Sequence, residues 1–143
     1  MKNSKGFSLL ELLIVVAIIL IIATIAIPSL LRSRQAANES AAVANLRTIN
    51  TAEVTYLSSS GGNYGDLAAL VGAGLLDDTF IGTATRPKAG YVYNITATGS
   101  DYTATADPAS TNTGRFGYYS VPDAVVRYST ALAPAGQGGR SVQ

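Results

Sequence analysis

From Leu9 to Ile27 the chain is apolar for nineteen residues, broken only by Glu11 and Thr24. That length suits an α-helix crossing a bilayer, which takes about 17 to 25 residues. After Pro28 the pattern changes. Ala, Asn, Thr and charged residues predominate, and Ala42, Leu46, Ile49, Ala52 and Tyr56 recur at steps of three or four. This spacing predicts an amphipathic helix with one face available to cover a sheet. Pro28 is the one breaker between Phe7 and Leu57, and no glycine intervenes. A proline removes one backbone donor and crowds the preceding turn, so a kink is expected there rather than a stop. An unbroken helix over this span would be about 75 Å long at 1.5 Å per residue.

The polar run Ser58-Ser59-Ser60-Gly61-Gly62-Asn63 ends the helical pattern. Asp66 is placed to cap a short helix reaching Val71, with Leu67, Leu70 and Val71 facing inward. From Gly90 the pattern becomes strand-like. Tyr91 to Thr96 and Tyr102 to Ala106 flank a five-residue turn region, and Arg115 to Val121 and Val125 to Thr130 flank Pro122-Asp123-Ala124. Two hairpins and about four antiparallel strands follow. Residues 131–143, rich in Gly, Ala and Pro, read as a loose tail. The expected fold class is α+β: a long N-terminal helix, apolar in its first half and amphipathic in its second, packed on a small antiparallel sheet.

Ten basic and nine acidic residues are spread along the chain and leave a formal charge of +1. No concentrated patch offers itself to nucleic acid or to an acidic substrate. Cys and His are absent, which excludes disulfides, thiol nucleophiles, most zinc sites and the commonest general base. The acids are scattered, and Asp77, Asp78 and Asp123 make no calcium-ligand pattern. No catalytic residue, metal ligand or cofactor site is assigned, and no enzymatic activity is expected. Asn38-Glu39-Ser40 and Asn94-Ile95-Thr96 match the glycosylation triplet, but the triplet is short enough to recur by chance.

A secretory signal peptide would have a shorter apolar core, of about 7 to 15 residues, and a small-residue cleavage site after it. Here the core is longer and contains a carboxylate. A charged residue in an apolar helix costs about 2.5 to 3.5 kcal/mol at the bilayer centre and less near an interface, so Glu11 calls for a function. It stands in the frame Lys5-Gly6-Phe7-Ser8-Leu9-Leu10-Glu11, and Pro28 closes the apolar stretch.

In this frame the chain resembles the type IV pilin family, which includes the pseudopilins of type II secretion systems; the resemblance is close from Lys5 to about Leu31. It implies a prepilin leader, 1–6, removed by a membrane aspartic peptidase that cuts between Gly6 and Phe7 and also methylates the new amine of Phe7. Glycine before the bond leaves room for the protease at little steric cost. Cleavage would remove Lys2 and Lys5 and leave a net charge of −1. Glu11 and Pro28 are then the filament-assembly residues, with Glu11 expected to pair with the Phe7 amine of a neighbouring subunit.

The implied organisation is an apolar transmembrane and filament-core half-helix at 7–33, a globular head at 34–130 and a flexible tail at 131–143. The implied function is structural: a homo-oligomeric helical filament serving adhesion, twitching motility or DNA uptake. Implied partners are the prepilin peptidase and methyltransferase, the pilus assembly platform, minor pilins, and the membrane before assembly; direct nucleic-acid contact stays open. The precursor would sit in the inner membrane and the product in an extracellular pilus or a periplasmic pseudopilus. The chain lacks the cysteine pair found in many family members and the acid-rich C-terminal loop that major pseudopilins use for calcium. A type II pseudopilin and a monomeric membrane-anchored binding domain are the alternatives.

Overall fold

The computed structural model describes residues 6–129 together with 140 and 141. Residues 1–5 of the leader expected at 1–6, Thr130 at the end of the expected head, and 131–139 and 142–143 of the expected tail lie outside the described residues. The chain falls into two units, 1–33 and 34–143. Helix α1, Leu9–Ser59, contributes its first part to one unit and the remainder to the other.

In the first unit the large apolar side chains from Phe7 to Leu31 are exposed all round the helix. By length and composition, α1 is the one helix among the described residues able to cross a membrane. The helix continues through Pro28, so the proline is not a stop. The Thr24 carbonyl loses the donor that a residue at position 28 would otherwise supply. The Thr24 hydroxyl donates to the Ile21 carbonyl at 2.7 Å.

In the second unit the expected stripe of α1 turns inward. Ala42, Leu46, Ile49 and Ala52 are buried and Tyr56 is half-buried. They pack against an antiparallel sheet of order β1-β2-β3-β4-β5, made of β1 Tyr91–Ala97, β2 Tyr102–Pro108, β3 Gly117–Ser120, β4 Arg127–Ser129 and β5 Arg140–Ser141. The register runs Tyr91↔Pro108 to Ala97↔Tyr102, then Ala104↔Ser120 and Gly117↔Ser129. The four expected strands are present. The fifth pairs Arg127 with Ser141 in a stretch read as loose tail, since two residues are too few to show alternation. Strand β3 starts later than expected because Arg115 is committed elsewhere, its backbone N–H donating to Glu39 Oε1 at 3.0 Å. Strand β4 also starts late: Ala124 has φ 58°, and the Val125 N–H is held by Asp123 Oδ1 at 2.9 Å.

The short helix α2, Leu67–Gly72, is capped as expected, the Ala69 N–H donating to Asp66 Oδ1 at 2.8 Å. Leu70 on it is fully buried. A single 3-10 turn at Asp78–Phe80 follows, with Asp77 accepting from the Thr79 N–H. Phe80 meets Tyr93 edge-on at 5.4 Å, and Tyr64 lies 4.7 Å from Tyr102. The turn into β1 places Ala89 and Gly90 at φ 51° and 77°, where glycine is the easier residue. A Cβ at Gly90 would also stand 2.7 Å from Asn38 Nδ2.

Candidate functional site

The assigned site residues lie at the start and end of the apolar helix. Gly6, Phe7 and Ser8 precede α1 as irregular chain. A side chain added at Gly6 would meet nothing within 4 Å, and Phe7 is 83% exposed. The bond between them is therefore open on the side of the described residues. Glu11 lies in the first turn of α1 and Pro28 five turns on, both exposed. The helix itself keeps them apart, at 1.5 Å per residue, so within one subunit they are separate features.

Local chemistry explains where α1 begins. The Ser8 N–H donates to Glu11 Oε2 at 3.0 Å, and the Leu10 N–H donates to Ser8 Oγ at 3.3 Å. The first main-chain bond of the helix runs from the Leu12 N–H to the Ser8 carbonyl at 3.2 Å. Together these make a capping box, in which Ser8 is the N-cap and Glu11 reaches back from the third helical position. Two donors that a helix start would otherwise leave unpaired are satisfied. The carboxylate also sits at the positive end of the helix dipole. Sequence reasoning assigned Glu11 to a partner on another subunit and missed this local role, although Ser-x-x-Glu ahead of an apolar run was the available signal. Only Oε2 is used in the box, so Oε1 remains open to a further donor.

In the second unit, charged groups fasten loops to α1. Arg115 grips Glu39 through two side-chain bonds, Nε to Oε1 at 3.0 Å and Nη2 to Oε2 at 2.9 Å. Beside this pair, Gln35 Nε2 donates to the Thr111 carbonyl and Asn38 Nδ2 to the Thr113 carbonyl, at 2.9 and 2.8 Å. Burial pushes the Glu39 carboxyl up, but the Arg115 side-chain and backbone hydrogen bonds and its charge prevail, holding it below the usual range. The half-buried Asn38 amide is thus already in use. Of the acids weighed for calcium, Asp77 pairs with Lys88 and Asp123 with Arg127. Among the described residues no three potential metal-ligating side chains come together.

Glu53 is the other buried acid that the sequence pattern did not reveal. It is fully buried on α1, and Oε2 accepts from the Gly65 N–H at 3.1 Å, while Oε1 has no partner. Burial pushes its carboxyl above the usual range, the Gly65 bond opposes the shift, and nearby Asp66 adds to it.

Comparison with known proteins bears on the N-terminal frame. Residues 1–27 match the model of the prokaryotic N-terminal methylation motif. The chain is 41% identical over 75 residues to the type IV wide pilus major component PilA4 of Thermus thermophilus, covering 52% of this chain and 57% of that protein. It is 40% identical over 70 residues to the type IV major pilin protein PilA of Myxococcus xanthus, covering 49% of this chain and 31% of that one. The matched stretches thus span less than two thirds of either relative. No solved structure matches the chain. The methylation motif at residues 1–27, which takes in most of the apolar part of α1, and the likeness over about half of the chain to two type IV pilins show that this chain is similar to type IV pilins.

Proposed function

We propose that the chain is the structural subunit of a type IV pilus or closely similar filament, made as a membrane-anchored precursor and polymerised through α1 after its leader is cut between Gly6 and Phe7. The observation that carries this reading is a helix whose large apolar side chains from Phe7 to Leu31 are all exposed, most of it within the methylation motif matched at residues 1–27. Such a surface needs lipid or other subunits to cover it. A filament core supplies that cover once the subunit leaves the membrane.

Glu11 and the new Phe7 amine form the assembly pair in this reading. Two unit charges about 4 Å apart attract by roughly 4 kcal/mol at an effective dielectric near 20, which offsets part of their desolvation and sets register more than strength. Pro28 marks where the helix loosens on passing from membrane to fibre, because one of its main-chain bonds is already missing. Intact-mass analysis of membrane-extracted protein and of sheared surface filaments tests the proposal. Loss of 1–6 with one methyl added at Phe7, in protein recovered from shed filaments, is the expected result. Full-length unmethylated protein found only in the membrane would overturn it, and a processed form confined to a periplasmic fibre would favour a pseudopilus.

A further inference from the structure

Glu53 lies on α1 between the inward-facing Ile49 and Tyr56 and is fully buried. Its carboxyl group makes one hydrogen bond, accepted from the Gly65 N–H by Oε2 at 3.1 Å, and Oε1 has no partner. The ion pairs among the described residues join Lys88 to Asp77, Arg115 to Glu39 and Arg127 to Asp123. None reaches Glu53. The titratable groups around it offer no positive charge either. Tyr56 follows it on α1, Asp66 brings a second acid from the cap of α2, and on β2 the nearby Tyr102 hydroxyl is pushed upward by burial and so stays neutral. Tyr64 lies against Tyr102, and Asp123, also near Tyr102, is held by Arg127. Burial disfavours the charged form of Glu53, the Gly65 bond favours it, and Asp66 disfavours it again. A buried charge without a counter-charge is among the costliest groups a fold can hold.

What covers Glu53 is the connection from α1 to α2, residues 60–66. Gly65 sits so close to the helix that a Cβ there would stand 2.9 Å from Tyr56 Cε1. Otherwise the connection is held by few bonds. The Tyr64 N–H donates to the Gly99 carbonyl at 2.8 Å, and the Tyr64 ring lies 4.7 Å from that of Tyr102. Ser60 and Asn63 bond to each other rather than to the sheet. Gly61 and Gly62 take φ 71° and 89°, and a Cβ at either would meet nothing within 4 Å, so the chain there can turn without disturbing its neighbours. Both ends are anchored: α1 runs to Ser59, and Leu70 on α2 is fully buried. The connection can therefore lift while α1, α2 and the sheet stay packed.

We infer that Glu53 is a pH-sensitive latch on this connection: while its carboxyl group is neutral, residues 60–66 stay seated over it, and when it ionises they lift and admit water. The latch lies wholly within the second unit and does not depend on the filament reading. The carboxyl group ionises at lower pH in the open form than in the closed form, so the closed form is most favoured in acid and loses ground as pH rises through the interval between the two. Over that interval one proton separates the forms, and their ratio changes about tenfold per pH unit. Ionisation also sets Glu53 and Asp66 against each other as like charges.

Hydrogen exchange of the full chain in detergent micelles, followed by mass spectrometry from acid to mildly alkaline pH, tests the latch. Protection is taken relative to an unstructured chain at each pH. In the wild-type chain the protection of residues 60–66 should fall about tenfold per pH unit over the interval, with β2 remaining better protected throughout. Glu53→Gln keeps an acceptor for the Gly65 N–H without an ionisable group, and its protection at 60–66 should not fall with pH. Asp66→Asn still caps α2 but removes the facing charge, and should end the fall at lower pH and make it smaller. Wild-type protection at 60–66 that is level in pH, an equal fall in Glu53→Gln, or protection at 60–66 equal to that of β2 at every pH overturns the latch.

Discussion

Glu11 caps α1 in the structure, and one substitution separates that role from the assembly role proposed for it. Gln at the same position still reaches back to the Ser8 N–H, since capping boxes accept Glu or Gln, but it carries no charge for a neighbouring amine. Glu11→Gln is therefore expected to leave membrane insertion and leader cleavage unchanged while slowing or abolishing assembly, read as fibre yield at matched levels of processed protein. Wild-type yield would leave Glu11 as a helix cap alone. Glu53 raises a different question, because burial holds its folded pKa above the unfolded one. Its contribution to stability is complete below the unfolded carboxylate pKa and is lost as pH rises through the raised folded value. Asp107, half-buried with Oδ1 unpaired, is shifted the same way by burial. Glu53→Gln should flatten the decline in stability above about pH 4 to 5, followed by urea titration across pH. Glu53→Ala should cost about 1 to 3 kcal/mol, because the Gly65 N–H loses its acceptor. An unchanged pH profile in the Gln variant would exclude Glu53 as its source.

At the scale of elements, α1 is one helix with two kinds of surface. Its first half has no polar side to rest in water, and its second half buries a stripe against the sheet while Gln35, Asn38 and Glu39 fasten the β2–β3 connection. Glu39 has the opposite linkage to Glu53. Arg115 holds its folded pKa down, so its contribution is present above the unfolded pKa and lost as pH falls through the folded one. Glu39→Gln should lower stability at neutral pH, make the acid side of the stability curve shallower, and speed hydrogen exchange in residues 109–116 more than in β1. Equal protection of that connection in variant and wild type would show that the pair does not hold it.

For the whole molecule, the division at 33 and 34 leads to a prediction about autonomy. The core of the second unit draws on α1 only from Ala42 onward, with Leu46, Ile49 and Ala52, and closes on residues of α2 and the sheet. A chain beginning at Arg34 is therefore expected to be soluble and to unfold cooperatively in urea, whereas the full chain needs detergent. The truncated form should not make fibres, since it lacks the apolar half-helix. Loss of cooperative unfolding on truncation would show that residues 7–33 contribute to folding of the head.

Much of this protein was legible in the amino-acid order because its signals are local. A nineteen-residue apolar run, a three-to-four-residue stripe, a capping aspartate at Asp66 and alternation around two turns each depend on neighbours within a few positions. These determined both halves of α1, α2, the first four strands and the frame from Gly6 to Glu11. Tertiary structure alone decided what depends on distant partners. Glu39 and Arg115 are 76 positions apart, and the Tyr102 hydroxyl meets Asn50 across 52. No periodicity announces that Glu53 is buried. A charged residue on a helix reads as solvated until the sheet and loops close over it, because burial belongs to the packed fold and not to the residue.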